Sequence, residues 1–525
     1  MVKKISTLAL AGLLALPAVA FAGAGGAAGT SDIQAQVDAL TRQLEQLKSE
    51  MAKVKAAPVS DQSSRLEALE ERSEQWDLAS RFQWSGDFRS RGDYYTRDRK
   101  FLTNPAAVMG GTAAPVFSEV TDKNNSLMTN RLRLDLRAKA LENVEFKGRL
   151  AMYKAWGMQS TPDDNTGGFI GSFPAFDGNA TRTPGDSALQ VDRAFVNWNN
   201  IGGAPIWFSV GRRPTTDGPA AQLRMGQDER MATPTAFMDW PFDGISMGYA
   251  YNNLFGMQDA PGRVRICYGR GFENGLSQDN TGINDTDFIG VSWDVYKKGD
   301  RFAYVQSFAA MDVFNYPDFS DPLLAAFASL PPPAGYGDRM NLGNIYHTSG
   351  VYQDKYKDLN YFLTAGWSRT DPNDMGMMND WSSVFAGGAR NTDEEDGYVV
   401  HLGVRYDIPN SLFKVGAEYN HGSKYWIAMT PGHDDLYASK LATRGNVYEL
   451  YTIYDIPGGE AISKFGKAFI RLGYQHYDYD YTGSMDWTTM PFDVNDTNEM
   501  TRAALSGATI VDSADQVYLT FEASF

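Results

Sequence analysis

The chain ends in Asp515-Gln516-Val517-Tyr518-Leu519-Thr520-Phe521-Glu522-Ala523-Ser524-Phe525. Val517, Leu519, Phe521, Ala523 and Phe525 fall on one parity, and Tyr518, Thr520, Glu522 and Ser524 on the other. Successive side chains of a strand point to opposite faces, so this stretch has one apolar face and one polar face. The same period of two recurs far upstream. In Arg81–Tyr94 the even positions include Phe82, Trp84, Phe88 and Tyr94, against Arg81, Gln83, Asp87, Arg89, Arg91 and Asp93. In Arg131–Ala140 leucines and alanines alternate with Arg131, Arg133, Asp135, Arg137 and Lys139. In Val144–Trp156, Phe146, Leu150 and Met152 oppose Glu145, Lys147 and Arg149.

Further alternating segments span 189–198, 205–212, 243–252, 263–270, 287–296, 301–312, 343–352, 358–369, 397–407, 411–420, 446–455, 465–480 and 515–525. Segments of about 10 alternating residues with aromatic ends are the pattern of a membrane-spanning barrel. The fold expected is an all-β transmembrane barrel, antiparallel, of about 16 strands within a range of roughly 14 to 18. Connection lengths test this independently. Long ones (97–125, 157–187, 213–241, 271–286, 313–342, 370–396, 421–445, 481–514) alternate with short ones such as 141–143 and 297–300. Outer-membrane barrels have short periplasmic turns and long external loops, and an even strand count returns Phe525 to the periplasm. Closure then pairs the last strand with the one carrying Arg81, Arg89 and Arg91.

Residues 1–22 have the form of a signal peptide: Lys3 and Lys4, an apolar stretch over 8–20, and Ala20-Phe21-Ala22 at the cut. The linker and coiled coil occupy 23–57. Ile33, Val37, Leu40, Leu44, Leu47, Met51 and Val54 keep an unbroken heptad seam, which calls for partner helices. Self-association follows, with a homotrimer favoured over a dimer; the other reading is a single amphipathic helix on the barrel mouth. A helical connector over 58–79 leads into the barrel, 80–525.

Composition narrows the function. Apolar residues make up 43% and charged residues 21%, so the chain can fold. A net charge of −16 argues against nucleic-acid binding. The single cysteine, Cys267, rules out an internal disulfide, a CxxC site and c-type haem attachment. The five histidines show no metal-binding spacing. No Ser, His and Asp set reads as a triad, so no catalytic residue, metal or cofactor is expected.

The terminal apolar strand closing on Phe525 resembles the assembly signal of Gram-negative outer-membrane proteins. Ser209-Val210-Gly211-Arg212-Arg213-Pro214 looks like the Gly-Arg-x-Pro strand end of certain porins. Together with the signal peptide and coiled coil, the chain resembles the coiled-coil-bearing porins, including the phosphate-selective type and uncharacterised porins of metal-reducing bacteria. The resemblance implies residence in the outer membrane amid lipid and lipopolysaccharide, with the coiled coil in the periplasm. It also implies recognition by the barrel assembly machinery, and passive diffusion of small hydrophilic solutes or ions.

A barrel of this size leaves an aqueous channel. Its expected pore-lining residues are Arg81, Arg89, Arg91, Arg131, Arg133, Arg137, Lys139, Lys147 and Arg149, with Arg193, Arg213, Arg263, Arg265, Arg405 and Arg471 further round. Such a ladder gives an anion preference; pairing of the same arginines with carboxylates gives weak selectivity instead. Acidic stretches at 371–396 and at Asp434-Asp435 read as solvated loops. The 213–241 loop, with Asp217, Asp228 and Glu229, is expected to fold inward as a constriction. The competing function is a sheath or envelope tether, such as the barrel of a porin-cytochrome electron conduit.

Overall fold

The computed structural model describes residues 81–525 apart from 158–180, 183, 214–217, 228–233, 235, 253–255, 258, 260, 277–282, 316–339, 431–433, 437 and 460–465. The signal-peptide, coiled-coil and connector assignments lie outside the described residues, as do Asp217, Asp228 and Glu229.

Among the described residues sixteen strands form one closed barrel. They are β1 (Phe82–Leu102), β2 (Phe117–Leu141), β3 (Val144–Ala155), β4 (Gln190–Trp198), β5 (Ile206–Arg213), β6 (Phe242–Tyr251), β7 (Gly262–Phe272) and β8 (Thr286–Lys298), followed by β9 (Arg301–Phe314), β10 (Asn341–Tyr356), β11 (Leu359–Pro372), β12 (Asp396–Asp407), β13 (Phe413–Gly422), β14 (Gly445–Ile456), β15 (Lys467–Tyr479) and β16 (Ile510–Ser524). Each pairs antiparallel with its chain neighbours, and β16 pairs with β1. Gly86 and Phe525 exchange both backbone hydrogen bonds at 2.9 Å, which seals the seam at the expected strand.

β12 shows why these residues form such a wall. Tyr398, Val400, Leu402, Val404 and Tyr406 all point outward and are exposed. His401 and Arg405 point inward and are buried. Tyr398 and Tyr406 stand about 26 Å apart along the strand, at roughly 3.3 Å per residue. At a tilt of about 40° this is about 20 Å of barrel height, close to the apolar band of such barrels. Around the barrel, Trp84, Trp198, Trp293 and Phe413 lie near the end with short turns, and Tyr94, Tyr346, Tyr448 and Tyr474 near the other, all exposed. Leu450, Leu472 and Leu519, exposed between the two aromatic rings, form a face suited to hydrocarbon rather than water. No described helix is long and apolar enough to cross a membrane, which says nothing of strands.

One expected loop is mostly strand. β1 and β2 continue through 97–102 and 117–125, ladder and all. Apart from Phe101, Leu102, Phe117 and Val120 their outer reach is polar on both faces, so no apolar period marks it. It is held by the ladder and by ion pairs of Arg97 and Arg99 with Asp122 at 2.8 and 2.7 Å.

Described parts of the long loops pack together at the far end of the barrel. Trp240, Trp426 and Trp487 are fully buried in a cluster with Phe237, Met378 and Leu441. The Met378 N–H donates to the Trp487 carbonyl at 2.8 Å, and the Met429 N–H to that of Phe237 at 2.9 Å. Each buried indole is worth about 4 to 6 kcal/mol gross, before ordering costs.

Candidate functional site

The inner wall of β1–β3 carries the basic positions expected from alternation. Arg89, Arg91, Arg131 and Arg133 are buried there, and Arg149 is nearly so. Arg137, Lys139 and Lys147 lie toward the short-turn mouth, Arg137 and Lys139 exposed and Lys147 partly so; Arg81 stands exposed just before β1. Arg265, Arg405 and Arg471 are also buried.

Of the two arrangements open to this wall, a basic ladder or arginines paired with carboxylates, the described residues show the pairing. Asp87 takes the Arg133 guanidinium at 2.8 Å and that of Arg131 at 3.4 Å. Asp93 takes Arg91 at 2.8 Å, Asp135 takes Arg149 at 2.8 Å, and Glu145 pairs with both Arg137 and Lys147. Glu522 of β16 faces Arg131 at 3.4 Å.

A further partner comes from the 423–444 loop. Asp434 pairs with Arg89, with Arg471 at 3.1 Å and with Arg131 at 3.3 Å, and its carbonyl accepts from Arg91 at 2.8 Å. Burial alone would push its carboxyl up; Arg89, Arg131, Arg471 and Arg91 outweigh this and hold it well below the usual carboxylate range. Asp434 and Asp435 are therefore not solvated: their side chains are 10% and 0% exposed. The physical reason is the row of buried guanidiniums, which rewards a carboxylate more than water does. In the 371–396 stretch three of the seven carboxylates are ion-paired, Asp396 and Glu394 on Arg369 and Asp380 on Arg502, while Asp374, Asp393 and Glu394 are exposed.

Among the described residues of the 213–241 loop, the 220–225 segment is buried and lies against the inner wall. Arg224 donates to Asp435 at 2.6 Å and reaches Glu449 of β14 at 3.2 Å. Burial alone would lower this guanidinium; Asp435 and Glu449 raise it well above the ordinary value. Arg405 and Arg471 donate to the carbonyls of Leu223 and Arg224 at 3.1 and 2.6 Å. The loop is thus held by backbone as well as charge. Lys440 bridges Glu418 and Glu449, and His401 lies 3.1 Å from Glu418. Glu418, Glu449 and His401 are inward by strand parity and could have been added to the lumen from sequence. Lys440, Arg224 and Asp434 sit on loops, where no period marks them.

Gly244-Ile245-Ser246-Met247-Gly248 has the spacing of a nucleophile elbow, a motif easily passed over in this sequence. It lies within β6, not at a strand-to-helix turn. The Ser246 hydroxyl sits 2.9 Å from the Cys267 sulfur. Among the described residues no set of three or more His, Cys, Asp and Glu is gathered to hold a metal.

The lumen so assembled is a charged wall onto which two loops are bolted. No curated protein matches the chain. Among solved structures it is similar to OmpT, an outer membrane protein of Vibrio cholerae, at 11% identity and a TM-score of 0.37, covering 84% of this chain and 98% of that one. It is similar to the outer membrane channel DcaP of Acinetobacter baumannii at 11% identity and a TM-score of 0.38, with 85% and 97% covered. It is similar to OprB of Pseudomonas putida at 10% identity and a TM-score of 0.41, with 87% and 96% covered. The family model described as "Protein of unknown function (DUF3373)" matches residues 121–525, and the chain belongs to that family.

Proposed function

We propose that this chain is an outer-membrane porin for passive diffusion of small hydrophilic solutes, with an anion preference that emerges when the 423–444 loop leaves the wall. The carrying observation is the Asp434 carboxylate seated among Arg89, Arg131 and Arg471. A carboxylate from the chain itself occupies the position a permeating anion would take. The apolar band between two aromatic rings supports a place in a membrane. A terminal Phe525 at the seam is in keeping with its reading as an assembly signal, and the homotrimer expected from the heptads belongs to the same proposal. Loops inside the barrel favour a small-solute channel over a sheath, which needs an empty bore.

Planar-bilayer recording under a KCl gradient tests this. Stable conductance steps are expected, with reversal shifted toward chloride. Arg131, Arg133 and Arg137→Glu together should move reversal toward cations. An unmoved reversal potential sinks the basic-wall assignment, and absence of any steps sinks the channel.

A further inference from the structure

A second region of the lumen lies away from the ion pairs of Asp434. Register sets Gly244 of β6 against Gly269 of β7, and Cys267 of β7 against Gly290 of β8. These inward positions carry little or no side chain, so the wall there is bare. Met238 of the 214–241 loop lies over it, and between them is a partly open cavity of about 110 Å³.

The lining of this cavity is divided. Phe242, Phe288 and Phe308 form an aromatic strip, with centroids 4.7 and 6.2 Å apart. Arg265 is held in place by the Ser292 hydroxyl and by the Tyr304 hydroxyl at 3.1 Å. Arg213 lies over the Trp207 ring at 5.8 Å, with its Nε buried and lacking a hydrogen-bond partner among the described residues. Two guanidiniums beside apolar walls repel each other in a poorly screened space. An anion between them relieves that cost, and its apolar part can displace water from the phenylalanines. An apolar cavity of about 150 Å³ holds a benzene ring, so a single ring whose charged group extends out of the open side matches this one.

We propose that this cavity binds a small aromatic carboxylate, its ring on the phenylalanine strip and its carboxylate on Arg213 and Arg265. The inference deepens the channel reading by naming a solute class, and rests on it only for the claim that the bound molecule is in transit.

Cys267 lines the cavity and is the only cysteine of the chain. The test uses the purified full-length protein in detergent, with benzoate as probe. Benzoate should slow N-ethylmaleimide labelling of Cys267 at least tenfold at saturation. Benzyl alcohol and acetate at the same concentration should slow it less than twofold. Calorimetry should give a saturable benzoate isotherm, weakened at least tenfold by Arg213→Gln. Cys267→Phe, which fills the cavity and leaves both arginines, should abolish it and serves if Arg213→Gln fails to assemble. Equal protection by benzyl alcohol, equal protection by acetate, or neither protection nor heat overturns the proposal. None of these readouts needs ion flux: a protein that binds benzoate but conducts nothing keeps the site and loses the channel.

Discussion

Replacing Asp434 by alanine removes the carboxylate that ties the 423–444 loop to the wall. Arg91 keeps Asp93 at 2.8 Å, and Arg131 keeps Asp87 and Glu522 at 3.4 Å. Among the described residues Arg89 and Arg471 have no other carboxylate within ion-pair distance. Removing one partner of a buried pair costs about 3–5 kcal/mol, because a charge is left uncompensated. With two of the four guanidiniums still paired, the low end applies, about 3 kcal/mol. At about 1.4 kcal/mol per tenfold, the balance between seated and released loop shifts about a hundredfold toward release. Single-channel recording reads this directly. Asp434→Ala should raise open probability by up to that factor and move reversal further toward anions, since the exposed wall has gained net positive charge. Adding Arg89→Ala should return part of the selectivity without closing the pore. An Asp434→Ala protein that assembles normally but keeps wild-type open probability and reversal potential would refute the role given to this carboxylate.

Other outcomes follow from the same geometry. The folded Asp434 carboxyl is held below its unfolded value, so its stabilisation is complete above about pH 3.9 and is lost as pH falls through the lower folded value; open probability should be flat from pH 7 to pH 5, and opening at pH 6 would contradict this. Lys440→Met takes the ammonium from Glu418, which keeps only His401 among the described residues, while Glu449 keeps Arg224 at 3.2 Å; the low end of the usual cost applies, about 3 kcal/mol in denaturant unfolding. Lys414→Met, which breaks a more exposed pair with Asp455, should cost less than about 1 kcal/mol. Gly86→Val should impair closure, because a Cβ there would stand 2.6 Å from the Arg133 carbonyl and 3.0 Å from the Phe525 ring; loss of heat-modifiable gel mobility is the check. Trp487→Ala should remove about 3–5 kcal/mol from the loop cluster and raise protease sensitivity of the loops while the barrel stays intact.

The wall was legible because its two solvents differ. Leu402 and His401 face the outside of the barrel and its lumen in turn, and a period of two records that at every step. Loop lengths gave sidedness for the same reason, since turns such as 142–143 and 357–358 are confined to one mouth. The outer reach of β1 and β2 escaped, because Arg97, Asp98 and Arg99 have water on both sides and leave no contrast to read. The lumen was half legible. Parity placed Arg89, Arg131 and Arg133 inward, and Asp87, the partner of Arg133, with them, yet the carboxylate that Arg89 and Arg131 share lies more than 300 residues away in a loop. Two aspartates in a loop look alike whether they meet water or guanidiniums. The cavity beside β6–β8 has the same difficulty: Gly244, Gly269 and Gly290 become a strip only once register sets their strands side by side.

The β1–β16 seam also bears on how the molecule is made. Pairing Asp87 with Ser524 closes a loop of roughly 440 residues, an entropic cost of about 5 kcal/mol by chain statistics. The β2–β3 hairpin, turning over 142–143, costs far less. Hairpins should therefore form early and the seam late, in keeping with the slowness of non-local pairing. Until it zips, the chain is a curled sheet with two raw edges, each able to recruit a strand from another copy. The aggregation risk of this protein is then concentrated in one interval of its biogenesis, and whatever shields β1 and β16 during that interval decides the yield of barrels.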